Sequence, residues 1–329
     1  METRKVQRTG RSTLIVSLPK KWAAKNDIEN GSMLFVSLEQ NGDLFLSPDR
    51  SEPDPVVKLA IGSKSGEPLI RDVISCYIEG YRTIEITSDQ LTAMQKQDIH
   101  SIVNKLIGPE ILEEASNRIV IQDLLSPDEL LPDRVLKRMK NMTRSMIQDA
   151  LSTLIRQNSE LALDVMQRDD DVDRLNLLMA RKFAEVLKSR SVAPLAINPI
   201  IVFHFMQAAA NLERMADYAA KIAEVSTQLC YDHSHEIIEK LPEIVSILSG
   251  LIDESITTII NADNLRANKV LDTTVQIKRQ FPITSDFSGK GDGGMRIRLL
   301  VADCIERILD RIENIAELSI NLHIALSSA

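Results

Sequence analysis

Cysteine is scarce in this 329-residue chain: Cys76, Cys230 and Cys304 are odd in number and far apart. That excludes a disulfide-stapled scaffold and a cysteine-based zinc module, and it fits a reducing cytoplasm. Long apolar runs are missing as well. No stretch approaches the roughly 20 residues of a membrane span, and no apolar segment follows the first basic residues as a secretory signal requires. Nucleotide loops are absent: there is no strand–GxGxxG–helix, and Gly62-Ser63-Lys64-Ser65-Gly66 lacks the P-loop spacing. No Ser or Cys stands in a recognisable base context. A ferritin-like oxidase needs Glu-x-x-His on its helices, yet the third residue after Glu213 is Ala216 and after Glu306 it is Leu309. A cytoplasmic, non-catalytic protein with no direct membrane insertion is expected.

What is present is unevenly charged. Residues 1–25 carry seven basic side chains against Glu2 alone, a net of +6 in a chain whose total is −8. A basic head on an acidic body points to a polyanion partner for the head and to cations, or plain solubility, for the body.

The sequence predicts several domains. Residues 1–50 read as short strands: Leu14–Leu18 stopped by Pro19, a short helix Lys20–Asn26, then Met33–Glu39 and Asp43–Leu46 flanking the hairpin dipeptide Asn41-Gly42. So few residues bury little surface alone, which implies an intertwined dimer. The segments Gly10-Arg11-Ser12-Thr13-Leu14-Ile15-Val16-Ser17-Leu18-Pro19-Lys20 and Ile28-Glu29-Asn30-Gly31-Ser32 resemble the AbrB/SpoVT swapped-hairpin DNA-binding domain. The resemblance implies DNA as partner, with Arg4, Lys5, Arg8, Arg11 and Lys20 on phosphates. After a linker, Ser51–Pro55, residues 56–125 alternate as β-α-β-α-β: strand 56–61, helix 68–81, strand 83–87, helix 89–106 and strand 118–124. They predict a small α/β domain with no chemistry of its own, a spacer or interface. A second linker runs from Ser126-Pro127-Asp128 to Pro132-Asp133.

Everything beyond reads as long helices: 134–157, 159–190, 198–230, 233–261, 263–281 and 295–326. In the third, Ile201, Phe205, Ala208, Leu212, Met215, Ala219 and Ile222 step by four and three. In the last, Val301, Ile305, Ile308, Ile312, Ile315, Ser319 and Leu322 do the same, a bundle seam. The two are duplicates. Residues 212–226 and 305–319 are identical at seven of fifteen positions at a shift of 93. Four of the seven are charges that packing does not require. Two three-helix units follow, 134–230 and 231–329.

The repeated charges carry the functional expectation. Glu213, Asp217 and Glu224 form one acidic stripe; Glu306, Asp310, Glu313 and Glu317 form its copy. Carboxylates at i and i+4 repel by about 0.2–0.5 kcal/mol per pair unless a cation joins them. Asp169 and Asp173, again four apart, lie where a neighbouring helix can meet Glu213 and Asp217. A hard-oxygen site for divalent or trivalent ions follows: Mg or Mn, Ca, iron, or Zn. In the second unit Asn268 and Asp272 are placed as the matching pair, one charge poorer. The expected metal ligands are Asp169, Asp173, Glu213, Asp217, Asp272, Glu306 and Asp310; a solvated acidic face is the plain alternative.

Paired E-R-x-x-D-x-x-x-x-I-A-E segments in tandem three-helix units, each preceded by an acidic helix, resemble the PhoU family of phosphate-uptake regulators. An AbrB-like head before them resembles its archaeal members. The resemblance implies a mainly α fold of two three-helix bundles, a homodimer or higher oligomer, multinuclear metal clusters, and repression of uptake through phosphate ABC transporter components. A transcriptional regulator of phosphate homeostasis is the resulting expectation. Its alternatives are an adaptor that docks on a transporter or kinase without binding DNA, and a divalent-metal sensor or storage protein. His204 and His323 read as packed histidines, and Met179 and Met215 as core fillers. His233-Ser234-His235 is a weak metal candidate. Gly289–Gly294 reads as a helix-joining loop whose backbone N–H groups offer a place for an anion.

Overall fold

The computed structural model describes residues 2–38, 42–48, 56–125, 130–188, 198–227, 236–280 and 295–327, with side chains left aside at 37–38, 236–240, 280 and 295–298. Asn41, both linkers at 51–55 and 126–129, Cys230, His233-Ser234-His235 and Gly289–Gly294 lie outside the described residues. The chain is multidomain and mainly helical, with strands concentrated towards the N-terminus, as the sequence predicts. Two compact units divide it: residues up to 53, and the described residues from 56 onward.

In the head, β1 (Gln7–Thr9) and β2 (Thr13–Ile15) pair antiparallel with Arg8 opposite Leu14. Gly10, at φ +71°, supplies the left-handed turn between them. Helix α1 (Lys20–Lys25) starts after Pro19. Strands β3 (Phe35–Leu38) and β4 (Leu44–Ser47) form the expected second hairpin. No described residue of the head is buried; Leu14, Ile15, Val16, Met33, Val36 and Leu44 all face solvent.

The α/β layer holds one more element than expected. Strand β5 (Val56–Ala60), helix α2 (Glu67–Ile78), strand β6 (Thr83–Thr87) and helix α3 (Ala93–Asn104) are followed by β7 (Pro109–Glu114) and β8 (Arg118–Asp123). The sheet order is β5-β6-β8-β7, parallel between β5 and β6 and antiparallel elsewhere. Edge strand β7 was hidden in the sequence because Glu110, Glu113 and Glu114 give it the look of a loop. Helix α3 begins at Ala93 rather than Asp89, because Thr92 and Gln95 close a capping box there. The α/β core is Leu69, Val73, Tyr77, Ile84, Ile86, Ile99, Ile119, Ile121 and their neighbours.

Six helices follow among the described residues: α4 (Pro132–Arg156), α5 (Ser159–Lys188), α6 (Pro199–Ser226), α7 (Glu236–Asn261), α8 (Asn264–Gln280) and α9 (Met295–Ser327). Helix α4 opens at Pro132, two residues before the expected start. Proline at the first turn costs no hydrogen bond, and Asp133 suits the positive end of the helix. Gln157 ends it in the left-handed conformation, at φ 50°. Asn198 caps α6 by accepting from Ile200 N, ahead of Pro199. Helices α4–α6 pack together, α9 packs on α7 and α8, and the halves join through α6–α9 and α4–α7. Their common core contains the predicted seams: Leu212, Met215, Ala219 and Ile222 from α6, and Ile305, Ile308, Ile312, Ile315 and Leu322 from α9. His204 is buried and donates to Ile200 O at 2.8 Å; His323 donates to Ala262 O at 2.9 Å.

The α/β layer is fastened to the bundle along one face of α5. Arg181, 1% exposed, makes a 2.7 Å ion pair with Asp123 at the end of β8. It also donates to Tyr77 O and Tyr81 O, and lies over the Tyr77 ring. Leu177 packs into the α/β core, Arg174 donates to Leu106 O, and Lys188 reaches Glu79. Positions 174, 177, 181 and 188 form one helical stripe, distinct from the stripe of Val165, Val172, Leu175 and Met179 that faces the bundle. Gly108 makes the close approach possible: at φ +103°, a Cβ there would stand 2.3 Å from Asp123 Oδ1.

Candidate metal centre

The acidic residues of α5 and α6 meet as their spacing predicts. One oxygen from each of Asp173, Glu213 and Asp217 lies within 4.8 Å of the others, the one such group of three among the described residues. Asp169, a turn before Asp173, adds a buried Oδ1 with no hydrogen-bond partner. Burial pushes the Glu213 carboxyl up to about 7, with Asp217 reinforcing the shift and Arg214 opposing it. Burial likewise pushes Asp169 up to about 6, helped by Asp173, Asp217 and Asp170. Asp173 is raised for the same first reason, then by Asp217. Arg214 lies along the outer side, 2.9 Å from Asp217 and 3.4 Å from Glu213, and is itself 58% exposed. Lys105, at the end of α3, pairs with Asp170 at 3.2 Å on the rim.

These are hard oxygen donors only, with no Cys or His among them, and one buried oxygen is orphaned. The set fits Mg²⁺, Mn²⁺, Ca²⁺ or iron better than zinc, which prefers Cys and His. A hard cation would relieve the repulsion that raises the carboxyls. Glu224, on the same stripe two turns on, is exposed and is not part of the group.

The second half is arranged differently. Asp272 does not face Glu306 and Asp310. His323 meets Ala262 just before α8 and Asp310 meets Lys278 near its end, so α8 and α9 run antiparallel and Asp272 falls nearer Glu317. The position across from Asp310 belongs to Lys278. Its Nζ stands 2.6 Å from Asp310 Oδ1 and 2.8 Å from Glu313 Oε2. The sequence comparison missed Lys278 because it matched acidic motifs in α5 and α8 without the antiparallel register. Arg307, the counterpart of Arg214, turns to Asp303 at 2.8 Å.

In the head, Arg4 and Lys5 precede β1, Arg8 is on it, Arg11 is in the β1–β2 turn and Lys20 opens α1. All five are exposed, and Arg4 pairs with Glu2 at 2.8 Å.

Fold and charge together define a helical bundle that holds an acidic cluster and follows a strand-built head, and known proteins share these parts. Residues 136–226 match the PhoU domain, and residues 7–54 match the antidote-toxin recognition MazE domain of bacterial antitoxins. The phosphate-specific transport system accessory protein PhoU homolog of Zymomonas mobilis is 28% identical over 187 residues, 55% of this chain and 78% of that protein. Its counterpart in Clostridium acetobutylicum is 24% identical over 196 residues, 57% and 88% of the two chains. The crystal structure of the phosphate transport system regulatory protein PhoU from Streptococcus pneumoniae shares the fold, with a TM-score of 0.51 at 19% identity over 59% of this chain and 94% of that one. The resemblance to the PhoU family, with an AbrB-like domain at the N-terminus, is thereby supported. No helix among the described residues is long and apolar enough to cross a membrane.

Proposed function

We propose that this chain is a metal-binding transcriptional regulator of phosphate uptake that reads DNA with a paired head. The observation that carries the metal reading is the meeting of Asp173, Glu213 and Asp217 beside the orphaned oxygen of Asp169, within the segment that matches the PhoU domain. When bound, a hard cation would supply the positive charge these carboxylates lack. The chain's own part is to hold four carboxylates on two packed helices, with Arg214 and Lys105 as outer counter-charges.

The head supports the DNA reading through its charge and its lack of a core. Apolar side chains that all meet water in one copy are the surface a second copy would cover. Pairing sets two hairpins with Arg8 and Arg11 side by side, suited to successive phosphates of one duplex. The test is duplex binding by the purified full chain as salt rises. Affinity is expected to fall steeply, with a log–log slope near 0.9 per phosphate contact. Arg8→Ala with Arg11→Ala, which removes four contacts from a paired head, should make that slope shallower by roughly four. No binding to any duplex at low salt removes the head from a DNA-reading role. Transcripts of phosphate-uptake genes in a deletion strain under phosphate limitation then test the target.

The names of the PhoU relatives, accessory proteins of a phosphate transport system, favour a second reading: an adaptor docked on the transporter. Co-purification with transporter components in the absence of duplex binding selects it.

A further inference from the structure

The two halves of the bundle carry the same acidic stripe on α6 and α9, yet they balance it in different ways. In the first half, the side chains across from Asp217 are the carboxylates Asp169 and Asp173. In the second half, the side chain across from Asp310 is an amine. Lys278 projects from the last turn of α8, is 29% exposed, and contacts Asp310 and Glu313 together. An ammonium between two carboxylate oxygens at 2.6 and 2.8 Å has the position and charge of a small bound cation.

We propose that Lys278 is the resident cation of the second half, an internal ammonium in the place where the first half takes a metal ion, so that metal loading is confined to one half of each chain. This rests on the first-half metal reading. Two further observations fit. The second half presents no group of three carboxylates among the described residues. And the repeated arginine, which in the first half turns to Glu213 and Asp217, in the second turns away to Asp303, its place beside Asp310 being held by Lys278. Lys278 donates to both Asp310 Oδ1 and Glu313 Oε2, so one ammonium serves two carboxylates at once.

The test uses the full chain in a Glu213→Gln/Asp217→Asn background, which silences the first half, with Mn²⁺ as probe. Thermal midpoints and bound metal are measured with and without millimolar Mn²⁺. The background protein is expected to bind no Mn²⁺ and to show no shift. Adding Lys278→Met leaves Asp310 and Glu313 facing each other without a cation. The midpoint should then fall, and Mn²⁺ should restore it by about 2–4 °C, the size of one charge interaction in a domain this large. Lys278→Arg keeps the cation and should behave as the background does. The proposal is overturned if the background protein still binds Mn²⁺ that Asp310→Asn removes. It is equally overturned if Lys278→Met gains no response to Mn²⁺. Should the native chain bind no metal at all, the first-half reading falls, while the Lys278→Met response still decides the role of the lysine.

Discussion

The first and second halves of the bundle are copies that have come apart in charge. Both keep a Glu-Arg-x-x-Asp segment on an inner helix. One faces it with more carboxylates, and burial first and that crowding second hold Glu213 and Asp169 above their ordinary range; the other faces it with Lys278. Duplicated backbone and seam preserve packing, because every seam position contributes to one core. Charges across the groove are free to diverge, because only their local neutrality matters. The halves differ in a second way: α5 of the first carries the α/β layer.

The largest effect expected from breaking this comparison lies at that attachment. Asp123→Ala leaves the buried Arg181 guanidinium with only the partly exposed Glu185 as carboxylate partner and should destabilise the chain by about 3 kcal/mol, read by denaturant unfolding. A loss under about 1 kcal/mol would mean that water reaches Arg181 and that the attachment is loose. Next comes the acidic cluster. Glu213→Gln with Asp217→Asn removes two carboxylates of the cluster and should abolish metal binding, with helicity retained by circular dichroism. Full metal content in that variant would refute the site.

A pH titration sharpens the contrast further. Glu213 and Asp169 titrate near 7 and 6 in the folded chain and near 4 when unfolded. The folded chain therefore binds more protons than the unfolded one across that interval, and the metal-free protein loses stability as pH rises from about 4 to 7. Glu213→Gln should flatten the fall, so its midpoint overtakes that of the parent above pH 7. Metal affinity should move the opposite way, rising through the same interval as protons leave. The smallest effect concerns the repeated arginine: Asp303→Ala, which leaves Arg307 with Tyr218 as its partner, should change stability by only about 0–1 kcal/mol.

The long helices were legible because their apolar residues recur at three and four, and the buried seam positions are those the periodicity names. The meeting of Asp173 with Glu213 and Asp217 was legible from i, i+4 spacing and from the repeat. What stayed hidden depended on partners across space. Asp272 aligned with Asp173 by motif, but α8 spans 17 residues and α5 spans 30, so equal motifs fall at unequal heights against their antiparallel neighbours. Carried outward from α6 and α9 at the shift of 93, Lys278 falls opposite Glu185, so the repeat gives no signal for it. Arg181 gave no signal at all, since a single arginine in a charged helix reads as solvated until Asp123 and two backbone carbonyls close over it.

Helix α5 is thus bolted on two sides, to a sheet by Arg181 and to its sister helices by Val172 and Met179. Twelve residues separate Arg181 from Asp169, about 18 Å of rigid rod. A helix so held cannot roll to ease crowding among its own acids. Any tilt forced on it by a filled or emptied carboxylate nest reappears as displacement of the end of β8, which makes the sheet the lever arm of the molecule.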